Sequence, residues 1–241
     1  DFNHIGTVNS ETLSFSDMQM NYDETYYYMV RAFDTDLTES SPSNTVLVDR
    51  IPPVVEIRQP MNGTWLAKPS VFVSGIATDS ETGLQLLRVD GKALQTTQDG
   101  QFSTQATLIE GANRIEAEAI DKGGNSATDA VMVYLDSLPP VIERVIPSQK
   151  TWTNQRIYPV QCKVSDTGSG IRFIRSQNRE KEYSHSSVDF SDSLSLQEGD
   201  NQWIVEAEDQ VGNQARQVVD ILLDTIPPVI TVDFPQDNQE L

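Results

Sequence analysis

Acidic residues recur at matched places in the two halves of this chain, and grouped carboxylates are the chemistry of hard-cation binding. Asp49, Asp79, Glu81 and Asp121 in the first half have counterparts Asp136, Asp166 and Asp209 in the second. Ca²⁺ takes roughly six to eight oxygen ligands, often carboxylates and backbone carbonyls on flexible loops. Three or four carboxylates brought together without a cation repel one another by several kilocalories unless well solvated. A blander reading stands beside this one. Asp and Asn cap turns through their own side chains, and Asp121-x-x-Gly124-Asn125 reads equally as a hairpin loop whose glycine takes positive φ. Both readings stay open at the level of sequence.

Other chemistry is thinner. His4 and His185 are isolated, with no repeated acid or nucleophile beside them, and read as exposed loop residues. There is no Cys/His metal spacing, Gly-rich phosphate loop or Gly-x-Ser-x-Gly. Carboxylate pairs for acid/base work could be drawn anywhere in so acidic a chain, and abundance is not a motif. The expectation is therefore a chain that is not an enzyme. Trp65 and Trp152 occupy matched positions. An exposed indole could stack on a sugar ring, but repetition in both halves favours a packing role. A lone aromatic also lacks the convergent polar groups of a ligand site.

The elements that must position these residues come from a repeat. Asp49-Arg50-Ile51-Pro52-Pro53-Val54 returns as Asp136-Ser137-Leu138-Pro139-Pro140-Val141 and as Asp224-Thr225-Ile226-Pro227-Pro228-Val229. The spacings are 87 and 88 residues (136 − 49 and 224 − 136). A period that long is one small domain rather than one solenoid turn. The domains expected are 1–49, 50–136, 137–224 and the beginning of another at 225–241, so the chain reads as a segment of something longer.

Within each full repeat the pattern is that of strands. Val71, Val73, Gly75 and Ala77 alternate with polar neighbours, as do Ile115, Ala117 and Ala119 against Glu116 and Glu118. Trp203, Val205 and Ala207 face inward while Glu206 and Glu208 face outward. Period-two alternation bounded by Gly, Asp and Pro is the strand signature. Asp90-Gly91 marks a tight hairpin. No helical stretch is evident, so each repeat is expected to be a β-sandwich of close to the ~100 residues that immunoglobulin-type sandwiches use. Cys162 alternates with Tyr158, Val160 and Val164, which places it inward as a buried thiol. One cysteine permits no internal disulfide. That fits a reducing compartment, or an exported protein stabilised by other means.

The formal charge is −19, from 17 basic and 36 acidic residues. That opposes binding to nucleic acid or anionic lipid. No apolar run approaches the ~20 residues of a membrane span.

Two family resemblances follow from these motifs. Tyr26, Tyr28, Val30 and Ala32 on one strand face, followed by Glu39-Ser40-Ser41-Pro42-Ser43-Asn44, resemble the last two strands of a fibronectin type III domain. That resemblance implies that Tyr26 is the tyrosine-corner residue. The full repeats carry Val73-x-Gly75-x-Ala77-x-Asp79, Asp99-Gly100-x-Phe102, Leu108-x-Glu110-Gly111-x-Asn113 and Ala119-x-Asp121-x-x-Gly124-Asn125. These resemble the bacterial Ig-like domains of the glucodextranase domain-B type. The second repeat departs at Ser187-Val188-Asp189-Phe190, where the first has Asp99-Gly100-x-Phe102. The resemblance implies non-catalytic modules of large exported bacterial enzymes or surface adhesins, and names no ligand.

In an Ig-type sandwich, the first strand's start, the second-to-third strand loop and the loop before the last strand share one pole. Asp49, Asp79, Glu81 and Asp121 are thereby expected to meet at one junction, and Asp136, Asp166 and Asp209 at the next, with calcium as the natural partner. Pro-Pro fixes φ and removes amide donors. Successive sandwiches are thus expected to form a stiff, elongated rod of tandem Ig-like/fibronectin-type β-sandwiches. The leading expectation is an extracellular or cell-surface spacer whose partners are adjacent domains of the same longer chain. The alternatives are an accessory carbohydrate-binding module, with Trp65 and Trp152 on the sugar, and a segment of a filament or surface layer that packs against other protein subunits.

Overall fold

The chain is all-β. The computed structural model describes residues 2–231 apart from 13 and 178, and the described residues contain strands but no α-helix. Two compact units divide it. One comprises residues up to 64 together with 69–134, and the other 65–68 together with 135 onward. Most of the expected further domain at 225–241 lies outside the described residues. No helix among the described residues is long and apolar enough to cross a membrane.

The N-terminal part of the first unit holds a two-stranded antiparallel sheet, Tyr26–Tyr28 against Val46–Val48. The Tyr26 hydroxyl accepts the Asn21 amide at 2.8 Å and donates to Glu24 Oε2 at 2.7 Å. A tyrosine hydroxyl closing onto backbone a few residues upstream is the geometry of a tyrosine corner. The strand is shorter than its alternation suggests. Val30 is 72 % exposed and Ala32 is exposed too, because no second sheet covers this face among the described residues. Beyond Tyr28 the hairpin continues with backbone bonds in one direction, the Ser43 and Ser40 amides donating to the Val30 and Ala32 carbonyls, and side-chain bonds in the other. Ser43 Oγ accepts the Val30 amide and Ser40 Oγ accepts the Ala32 amide, both at 2.9 Å. The Ser-rich turn thus substitutes hydroxyls for ladder carbonyls.

The first full repeat builds two sheets. Val54–Gln59, Ser70–Thr78 and Gln101–Thr107 form a three-stranded antiparallel sheet with Ser70–Thr78 in the centre. Ser126–Leu135, Gly111–Asp121, Leu84–Val89 and Lys92–Leu94 follow one another in the second. Asp90 and Gly91 take φ of 48° and 76° to close the Leu84–Val89/Lys92–Leu94 hairpin. Two consecutive positive φ values are what a two-residue turn needs to match strand twist. The inward faces supply the core: Val71, Val73, Ala77 and Phe102 from one sheet, and Leu87, Ile115, Ala117, Ala119 and Val133 from the other.

One cross-sheet bond was not legible in the alternation. Where the Val54–Gln59 ladder slips register after Ile57, Asp129 Oδ2 accepts the Ile57 amide at 2.7 Å. Replacing Asp129 by alanine orphans that amide, an expected loss of about 1–3 kcal/mol. Urea unfolding of the variant measures it, and an unchanged midpoint would show that water replaces the carboxylate at no cost.

The second repeat has the same plan. Val141–Ile146, Ile157–Ser165 and Ser187–Ser195 form its three-stranded sheet. Thr151–Thr153, Gln214–Leu223, Gly199–Asp209, Ile171–Ser176 and Arg179–His185 form the other, with Thr151–Thr153 parallel to Gln214–Leu223. Its core gathers Val160, Cys162, Val164, Ile171, Ile174, Phe190, Trp203, Val205 and Ile221. Cys162 is buried as expected, and desolvation pushes its thiol up to about 11, so it is a packing residue rather than a thiolate nucleophile.

Candidate metal centres

Every expected aspartate sits at a strand end. Asp49 follows Val46–Val48, Asp79 follows Ser70–Thr78, and Asp121 closes Gly111–Asp121. Asp136 follows Ser126–Leu135, Asp166 follows Ile157–Ser165, and Asp209 closes Gly199–Asp209. The sandwich carries these ends to one pole of each repeat. Asp49, Asp79 and Asp121 each bring a carboxylate oxygen within 4.8 Å of the others, and so do Asp136, Asp166 and Asp209. Five of the six are buried, Asp79 being partly so.

Glu81 lies outside the first cluster. It is exposed and accepts a hydrogen bond from Ser80 Oγ at 3.2 Å. Its counterpart Gly168 has no side chain to offer. Gly168 is forced by the site: a Cβ there would stand 2.3 Å from Asp136 Cγ, so the second loop lies directly against the linker carboxylate.

Local turn chemistry accounts for much of the positioning. Asp49 Oδ1 accepts the Ile51 amide at 2.9 Å, and its Oδ2 accepts Thr82 Oγ1 at 2.7 Å. Asp79 Oδ1 takes the amides of Thr82 and Gly83 at 2.9 and 2.6 Å. In the second cluster Asp136 Oδ2 accepts the Ser169 amide at 2.7 Å, and Asp166 Oδ1 accepts those of Gly168 and Gly170 at 3.0 and 2.7 Å. Asp209 Oδ1 takes three amides, from Val211, Gly212 and Asn213, at 2.7–3.0 Å. Asp79 and Asp166 thus receive their loop amides on Oδ1, which leaves Oδ2 outside those turns.

Two asparagines tie the clusters together. Asn125 Nδ2 donates to Asp121 Oδ2 at 2.8 Å and to the Asp49 carbonyl at 3.1 Å. Asn213 Nδ2 donates to Asp209 Oδ2 at 2.6 Å and to the Asp136 carbonyl at 2.8 Å. The asparagine amide thus joins the Asp49 and Asp136 carboxylates in pinning each of the first two linkers to the repeat it enters. The asparagines' recurrence four residues after Asp121 and Asp209 was visible in the sequence, but this role was not. The hydroxyl of Thr82, which donates to Asp49, was missed altogether; at the matched place Ser169 reaches Asp136 through its backbone amide instead.

The electrostatics favour a positive partner. Burial, and then the neighbouring Asp136 and Asp209 carboxylates, push the Asp166 carboxyl above its ordinary value, against the lowering effect of its amide bonds. Among the described residues none of the six aspartates is in an ion pair; the nearby Arg172 pairs with Glu208 at 2.9 Å instead. The donors are all oxygen, which suits a hard cation such as Ca²⁺ and not a soft metal.

The remaining expected sites do not converge. Trp152 is 67 % exposed and Trp65 40 %, so neither plugs its sandwich; Trp203 is the indole in the core. His185 ends the edge strand Arg179–His185, exposed, rather than lying in a loop. His4 bonds to Thr7 Oγ1, at 3.0 Å.

Residues 53–137 match the family model for glucodextranase, domain B. Bacillopeptidase F of Bacillus subtilis (strain 168) is 28 % identical over 200 residues, which is 81 % of this chain. The chain spans only 14 % of that protein's length. Among solved structures it is similar to the fibronectin(III)-like modules of Clostridium thermocellum CbhA, at 16 % identity and a TM-score of 0.37, over 70 % of this chain and 94 % of that one. It is also similar to a titin fragment of domains I67–I69, at 12 % identity and a TM-score of 0.48, over 71 % of this chain and 65 % of that one. The chain is all-β, with two repeats of one sandwich plan, the first of which carries the match to that family model.

Proposed function

We propose that this chain is a non-catalytic spacer segment of a longer exported protein, with Ca²⁺ bound at each carboxylate cluster. The observation that carries the reading is the pinned linker. In both repeats an asparagine and a linker aspartate lock the incoming Pro-Pro segment to the sandwich, with the same bonds each time. A segment whose joints are fixed transmits orientation and separates whatever lies at its ends. Pro-Pro removes the freedom that a Gly/Ser linker would keep.

The relatives support an accessory role. The similar protein named as a peptidase is about sevenfold longer than the stretch matched, so its activity can reside elsewhere in it. The domain-B family is named as one part of a glucodextranase. Those names, and a single cysteine shielded in the core, support a place outside the cell or on its surface. Cys162 is buried with its thiol pushed up to about 11, which speaks against a thiolate nucleophile.

The test is small-angle scattering with activity assays on the same sample. The purified segment should have a maximum dimension well beyond that of a sphere of equal mass, and should turn over no peptide, ester or glycan. A compact particle would remove the spacer reading. Turnover abolished by changing His185 or Cys162 would remove the non-catalytic one.

A further inference from the structure

The second repeat also grips its outgoing linker. Glu198 sits in the turn between Ser187–Ser195 and Gly199–Asp209. Its Oε1 accepts the Thr225 amide at 2.9 Å and its Oε2 accepts Thr225 Oγ1 at 2.6 Å. Arg156 Nη2 donates to the same hydroxyl at 3.2 Å and lies 3.8 Å from Glu198 Oε2. The Asp224 amide donates to the Thr153 carbonyl at 2.9 Å, and the Ile226 amide to Asp224 Oδ1 at 3.0 Å. That last bond repeats those of Ile51 to Asp49 and Leu138 to Asp136. The third linker therefore shares this turn-forming bond with the first two.

We infer that Glu198, braced by Arg156, is a positioning residue that clasps the outgoing linker at Thr225 and makes the exit of this repeat a fixed joint. Its purpose, though not its existence, rests on the spacer reading. Three features carry the inference. Both carboxylate oxygens are used, so the clasp fixes direction as well as distance. The grip falls on the residue directly after Asp224, the third member of the Asp49 and Asp136 series. And Glu198 lies at the opposite end of the sandwich from the cluster. It precedes the first residue of the eleven-residue strand whose last residue is Asp209. At ~3.3 Å per residue these ends are roughly 33 Å apart. The incoming linker is pinned at one end of that strand and the outgoing one at the other, so a single rigid element relates the two. The two Thr225 bonds, and secondarily Arg156, hold the Glu198 carboxyl below its ordinary value, as a carboxylate bonded in its charged form should be.

Amide hydrogen exchange on the whole chain tests this. In Glu198→Ala the Thr225 amide should exchange on the order of tenfold faster or more, while the Val219 and Ile221 amides keep wild-type protection. Glu198→Gln, which retains one acceptor oxygen, should fall between. Thr225→Val should not add to the effect of Glu198→Ala at the Thr225 amide. Unchanged exchange at Thr225 in Glu198→Ala overturns the clasp. Equal acceleration at Val219 and Ile221 overturns it too, because Glu198 would then support the fold at large. A compact particle in the scattering experiment, with Thr225 still protected by Glu198, would remove the spacer reading and leave the clasp standing.

Discussion

Trp203→Ala should cost the second repeat about 3–5 kcal/mol, the range for removing a large aromatic from a well-packed core. Trp203 is completely buried, in the core cluster that also holds Val160, Ile174, Val205 and Ile221. Its Nε1 donates to Ser176 Oγ at 3.1 Å, and Ser176 is itself fully buried. Truncation therefore opens a cavity and strips a buried hydroxyl of its partner. Domains of this size are stable by only about 5–15 kcal/mol, so the loss is a large share of the total. Trp203→Phe should cost less but not nothing, because it fills most of the volume and still orphans Ser176. Circular dichroism during urea unfolding measures both variants. Damage should be confined to the second unit, with first-unit amides keeping their protection. A Trp203→Ala variant within 1 kcal/mol of wild type, taking ~1 kcal/mol as an ordinary point-mutant effect, would mean that the site collapses around the missing ring.

Trp203 was legible in the sequence because strand alternation is strict there: Trp203, Val205 and Ala207 against Glu206 and Glu208. Asp90-Gly91 was legible for the same local reason, since few dipeptides tolerate two positive φ values. The carboxylate clusters were legible only through the repeat. Matched aspartates at strand ends, combined with a sandwich topology, bring them to one pole, and the six aspartates meet as that reasoning requires. Glu81 failed where the repeat itself failed, since its counterpart is Gly168. What remained hidden is long-range and polar. Asn125 reaches back 76 residues to the Asp49 carbonyl, and Asp129 reaches 72 to Ile57. Glu198 grips Thr225 across 27 residues. No local period announces such bonds. Val30 and Ala32 misled differently: their alternation is that of a half-buried strand, but the described chain holds no sheet to cover them.

Calcium should raise the melting temperature of the intact segment, and a chelator should lower it. Three carboxylates with oxygens inside 4.8 Å of one another, all three buried at the second cluster, form an arrangement that water does not screen well. Backbone amides offset part of the repulsion, but Asp166 remains above its ordinary value through burial and the charges of Asp136 and Asp209. A cation that binds only the folded state stabilises it by about 2.7 kcal/mol at a hundredfold excess over Kd. For a domain of this size that is roughly 4–8 °C per kcal/mol. Asp209→Asn and Asp121→Asn should blunt the response in their own repeats. Asp166→Asn gives the sharper contrast. An asparagine there keeps an oxygen for the Gly168 and Gly170 amides and removes one of three clustered charges. In chelator the variant should melt no lower than wild type, because a carboxylate with a raised pKa costs stability once pH exceeds its unfolded value. In millimolar calcium it should melt lower, because the cation has lost a ligand. A change of sign between the two conditions cannot come from turn chemistry, which is the same in both. Wild-type curves that coincide in calcium and in chelator would leave these aspartates as turn-forming residues, with the stiffness of each joint resting on Asn125, Asn213 and the prolines.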